Sequence, residues 1–77
     1  MNKKLSFSVS VHEEKLDDKT KVFVVEALEL GISDFGETLE ESMNNLRNAV
    51  KLTLEESPEK KDLLEREEPI MISRIFL

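Results

Sequence analysis

Leu39, Met43, Leu46, Val50 and Leu54 fall on one narrow stripe when the chain is wound at about 100° per residue. No other stretch is periodic for long enough to make a helix of several turns. Such a helix is not stable alone in water, so it must lay its stripe on something else. Its start is well marked. Thr38 followed three residues later by Glu41 forms a capping box, in which the hydroxyl accepts from one orphan amide and the carboxylate reaches back to another. Acidic residues crowd the first turn, and Arg47 and Lys51 follow later, as the helix dipole favours. Ser42, Ala49 and Thr53 widen the stripe with small side chains that allow close approach to a sheet. Leu52 falls on the opposite, polar side, as a stray surface leucine or as part of a contact between subunits.

The remaining segments read as strands. From residue 4 to 12, Leu5, Phe7, Val9 and Val11 alternate with Ser6, Ser8, Ser10 and His12, the period-two pattern of a half-buried strand. Glu13 to Lys21 is polar, contains Asp17-Asp18, and reads as a hairpin connection. Val22 to Leu28 (VFVVEAL) is apolar on both faces in its first half, so the helix alone cannot cover it; a central strand with its outer face buried by another molecule is expected. Leu30 to Phe35 makes a short third strand between Gly31 and Gly36, each supplying a backbone angle or a close approach that a side chain would forbid. After the helix, Ser57-Pro58 opens a short charged second helix over Glu59 to Glu67, anchored by Leu63 and Leu64 and stopped by Pro69. Ile70 to Leu77 (IMISRIFL) reads as a fourth strand, docked in the sheet or across a dimer. A right-handed crossover would set it parallel to the first strand, in the order 3-2-1-4. The fold class is therefore α+β: a β-β-β-α-β chain with an antiparallel three-stranded meander, a fourth strand, and one long helix on one sheet face.

Size and composition narrow the function. Residues 1–77 make one small domain, and a chain of this length buries only about 60–65 % of its unfolded surface. Cysteine is absent, so no disulfide or thiolate metal site can add stability, and a homo-oligomer (dimer or tetramer) is expected. The net charge of −6 argues against nucleic-acid backbones and favours a basic partner. The opening residues alternate rather than forming a signal peptide, and no run reaches membrane-spanning length, so a cytoplasmic setting is expected.

No catalytic, cofactor-binding or metal-binding residue is singled out. His12 is the only histidine and ends the polar face of a strand, where solvation is the expected fate. Glu13, Glu14, Asp17 and Asp18 lack the glycine and ligand spacing of a calcium loop. Two glycines with Glu37, Glu40 and Glu41 around the helix start would repel a phosphate. No serine sits in a nucleophile-elbow context, and nothing marks a two-carboxylate site. The chain is read as a non-enzyme.

VFVVEAL, LGISDFG, GETLEES and the helix carrying NNLRNAVKLTLEE together resemble the HicB-like antitoxin family. Gly36, Thr38, Leu39, Glu40, Glu41, Leu46, Ala49 and Leu54 fit its pattern position by position. The resemblance spans Val22 through Glu56, with the first and last strands in the order it requires. It implies a partial ribonuclease-H-like sheet without catalytic acids, and a role in binding and blocking a small basic, RNA-cleaving toxin of the HicA type. Full-length members usually add a DNA-binding segment. The residues after Glu56 hold a charged turn and a strand instead, so operator binding is not expected of this chain. A stand-alone homo-oligomer with a structural or ligand-binding role, without a toxin, is the alternative.

Overall fold

The structure, a computed structural model, describes residues 4–65 and 68–77. Three strands, β1 (Val9–Lys15), β2 (Lys21–Ala27) and β3 (Ile32–Gly36), form an antiparallel sheet in the order β1-β2-β3. The long helix α1 (Leu39–Glu56) follows, then a 3₁₀ turn (Pro58–Lys60) and a short helix α2 (Lys61–Leu64). The α+β class and the antiparallel meander are as expected.

Two tight connections set the registers. Between β1 and β2, the Leu16 amide donates to the Thr20 carbonyl at 2.9 Å and the Lys19 amide to the Leu16 carbonyl at 2.8 Å. Lys19 takes a left-handed backbone (φ 69°), and the Asp18 carboxylate accepts from the Thr20 amide at 2.9 Å. The strand register continues inward from this turn, from Lys15 opposite Lys21 to Val9 opposite Ala27. Between β2 and β3, the Leu30 and Gly31 amides both donate to the Ala27 carbonyl, and Gly31 has φ 67°. That angle is one a side chain rarely tolerates. Gly36 serves the other purpose. Its φ is not positive, but a β-carbon there would lie 2.6 Å from the Ser42 backbone nitrogen in the first turn of α1. Absence of a side chain is what lets the helix settle onto the end of β3.

The register sorts the side chains into two faces, since directly opposed residues share one. Toward α1 lie the rows Val9–Ala27–Ile32, Val11–Val25–Asp34 and Glu13–Phe23–Gly36. Leu46 and Val50 of α1 bury against Val25 and Ala27, and Leu64 of α2 closes the same cluster. Phe7, Val9, Leu30, Ile32, Met43 and Leu54 pack around it. Ser42 is fully buried among the helix contacts and directs its hydroxyl to the Leu39 carbonyl at 2.7 Å. The stripe is a core face from Met43 to Leu54, whereas Leu39 at its start is exposed. Leu52 is exposed, as its angular position implies. At the helix start, the Thr38 hydroxyl accepts from the Glu41 amide at 3.0 Å, which is one half of the capping box. No return bond from the Glu41 carboxylate to the Thr38 amide is present among the described residues.

Four expectations need correction. The first strand lies at Val9–Lys15 rather than at residues 4–12, because β2 ends at Ala27 and the chain turns from Leu28, so pairing stops at the bond from the Leu28 amide to the Ser8 carbonyl. Those residues are held by other groups: the Ser6 amide donates to the Leu64 carbonyl at 2.9 Å, and the Ser8 amide and hydroxyl donate to the Glu29 carboxylate at 2.8 and 3.0 Å. Val22, expected to need an outside molecule, is already buried within the chain, while Phe23 and Val24 are half-buried. The second helix begins as a 3₁₀ turn at Pro58, with Leu64 as its only buried anchor and Leu63 exposed; its expected end at Arg66 and Glu67 lies outside the described residues. Ile70–Leu77 forms no strand and no ladder, so the 3-2-1-4 sheet is reduced to 3-2-1 within one chain. The physical reason is cover. α1 sits over β3 and β2, and Val11 on β1 is already 48 % exposed on that side, so a strand beyond β1 would have nothing to pack against.

Candidate functional site

Polar groups that sequence brought under suspicion are each spent locally. His12 Nε2 lies 2.9 Å from Glu14 Oε1 in an exposed pair. Glu13 pairs with Lys21 at 3.5 Å across the β1–β2 hairpin. Asp18 serves the turn at Thr20, and the hydrogen bonds from Thr20 hold its carboxyl below the ordinary value of 3.8. Among the described residues no group of three or more His, Asp or Glu side chains could hold a metal ion. The clefts are open grooves rather than enclosed pockets. One is lined by Glu29, Leu63, Glu68, Pro69 and Ile70, another by Thr38, Glu40, Glu41, Asn44 and Asn45. Neither brings together a nucleophile, a base and an oxyanion donor, as acyl or phosphoryl chemistry would need.

Surfaces are more informative than clefts. On the sheet face away from α1 run the rows His12–Val24–Phe35 and Ser10–Glu26–Ser33. No helix covers them, and Phe35 stands 56 % exposed at the end of its row. The hairpin and the start of α1 share one end of the sheet, because Glu13, Phe23 and Gly36 lie in one row. That end gathers Glu13, Glu14, Asp17, Asp18, Glu37, Glu40 and Glu41, seven carboxylates against three lysines (Lys15, Lys19 and Lys21). Sequence named these acids as two separate groups; their meeting at one end follows only from the register.

The two edges of the sheet differ. On β3, the Phe35 amide donates to the Asp34 carboxylate at 2.8 Å, and the Phe35 carbonyl accepts from the Asn45 side-chain amide at 2.8 Å. Side chains thus take both outward backbone groups of Phe35, one of the two residues of β3, with Ser33, that face away from β2. β1 has no such cover. Leu28 donates to the Ser8 carbonyl at 3.0 Å and Leu16 to the Thr20 carbonyl at 2.9 Å, so even-numbered residues of β1 face β2. The amides and carbonyls of Val9, Val11, Glu13 and Lys15 therefore point outward along a free edge. Neither the plugs nor the open edge is written in a residue pattern; each depends on which strand lies outermost.

The last described segment is the most exposed apolar one. Met71, Ile75 and Phe76 are 94, 83 and 85 % exposed. It is fastened at its start, where the Ile70 amide donates to the Ser8 hydroxyl at 3.2 Å, and Arg74 lies over the Phe76 ring at 5.9 Å from its centroid. No helix among the described residues is long and apolar enough to cross a membrane. No protein-family model, curated protein or solved structure matches the chain.

Proposed function

We propose that this chain is a non-enzymatic protein-interaction module of the HicB-like antitoxin type, which binds a small basic, RNA-cleaving toxin and blocks it in the cytoplasm. The observation that carries the reading is the acidic end of the sheet, where seven carboxylates surround the hairpin and the start of α1 beside the exposed Phe35 row. An acidic surface steers a basic partner and raises its association rate, while the adjacent apolar row offers area to bury. The fourth strand and partial ribonuclease-H-like sheet implied by the resemblance belong to this same reading. The test is co-expression with any small basic protein encoded in a neighbouring reading frame. The expected result is a co-purifying complex that no longer cleaves RNA, with association slowed by salt and by Glu13→Lys with Glu40→Lys. A neighbour that cleaves RNA equally well in the presence of this chain would overturn the proposal.

A second reading has its own observation. The apolar stretch Ile70–Leu77 is uncovered within one chain, which favours a homo-oligomer whose self-association does not depend on a toxin.

A further inference from the structure

We propose that Ile70–Leu77 is an exchange arm: it adds as a fourth strand to the free β1 edge of a second copy of this chain, and the second copy returns its own. The inference deepens the self-association reading and rests on it, independently of any toxin.

The arm has the composition of a strand buried on both sides. Ile70, Ile72 and Phe76 would fall on one face, and Met71, Ile75 and Leu77 on the other. Its backbone has no ladder partner, so beyond the Ile70 amide, which the Ser8 hydroxyl takes, it brings a row of donors and acceptors. β1 offers the complement, with the outward amides and carbonyls of Val9, Val11, Glu13 and Lys15. The β3 edge offers less, because Asp34 and Asn45 occupy the backbone of Phe35 and leave only that of Ser33 facing outward within the strand. Edge choice therefore falls on β1.

The occupant is a second copy because this chain carries both halves of the pairing, the unpaired arm and the open edge. Laid on its own β1, the arm would satisfy hydrogen bonds yet keep six apolar side chains bare. α1 covers β3 and β2, and Val11 and Leu5 on the near side are exposed already. An exchange pairs arm with edge twice and brings the bare side chains of two arms into one assembly, which a single chain cannot do. The shape agrees. The radius of gyration is 14.2 Å, and a chain of this length packed as one closed globule would have about 11–12 Å. The arm stands away from the body that its start is tied to at Ser8.

The experiment compares three full-length proteins by sedimentation equilibrium, with circular dichroism to confirm folding. The unaltered chain is expected at twice its 8.9 kDa mass. Val11→Pro removes an outward amide from the β1 edge and none from the β1–β2 ladder, so it should fold and stay at the single mass. Ile72→Glu with Ile75→Glu keeps the edge and spoils the arm, with the same expected mass. Mixed together, these two variants should form a complex of twice the single mass, because one retains an arm and the other an edge. A monomeric unaltered chain would overturn both the exchange and the self-association reading. Dimers that persist in the arm variant, or variants that fail to complement on mixing, would overturn the exchange alone. If Val11→Pro does not fold, the arm variant decides: a retained dimer refutes the proposal and a monomer upholds it.

Discussion

Replacing Gly36 by alanine is the sharpest test of how α1 is seated. The added methyl would sit 2.6 Å from the Ser42 backbone nitrogen, 3.0 Å from Glu41 Cγ and 3.1 Å from the Glu41 carbonyl carbon. Glu41 Cγ belongs to a flexible, exposed side chain and can swing aside. The Ser42 nitrogen cannot, because it is helix backbone, and its amide is bonded to the Thr38 carbonyl at 3.0 Å. Restoring ordinary van der Waals contact needs the helix start to retreat by roughly 0.8 Å, opening the packing below it. Leu46 and Val50 are buried on the same rigid helix, so the shift is shared with the core. Overpacking of this kind costs about 1–3 kcal/mol, and a backbone obstacle places Gly36→Ala in the upper half of that range. Gly31→Ala makes the contrast: nothing lies within 4 Å of its added carbon, and only the left-handed backbone opposes it, at about 1 kcal/mol. Urea unfolding followed by circular dichroism at one protein concentration would measure both. Equal losses, or a larger loss at Gly31, would refute the claim that Gly36 is required for space and not for its backbone angle.

Leu46 is 1 % exposed at the centre of the cluster, so Leu46→Ala should cost about 2–5 kcal/mol; a urea midpoint corresponding to a loss below about 1 kcal/mol would mean that the stripe is not core. Asp18 should titrate below 3.8, because the Thr20 hydrogen bonds favour its charged form. A depressed folded-state value means that its contribution to the hairpin is present above the ordinary carboxylate range and is lost as pH falls through the lowered value. Carboxyl carbon chemical shifts followed against pH check this, and a midpoint at or above 3.8 would contradict it.

Local patterns carried most of the fold. Thr38, the stripe through Leu54 and the Ser57-Pro58 stop placed α1 at Leu39–Glu56, since caps and periodicity act within a few residues. Gly31 was legible as supplying a backbone angle or a close approach, though the third strand begins after it, at Ile32, and not at Leu30. Positions settled by tertiary geometry were not. Alternation over residues 4–12 is a true strand pattern, yet where pairing starts depends on where β2 ends, and the Glu29 carboxylate that holds Ser8 lies 21 residues away in sequence. Leu39 belongs to the stripe by angle but projects past the end of the sheet, so periodicity alone could not reveal its exposure. The candidate surface was legible only as charge. Its assembly needed the register that sets Glu13, Phe23 and Gly36 side by side.

The side-chain plugs on β3 make the two edges of this sheet unequal. A sheet with two usable edges can hand strands from molecule to molecule without limit, as fibres do. Here Asp34 and Asn45 occupy the amide and carbonyl of Phe35, which obstructs strand addition at that end of β3 and leaves β1 the more open edge. Two small polar residues thereby obstruct one edge of a sheet whose chain also carries an apolar segment as exposed as Ile70–Leu77.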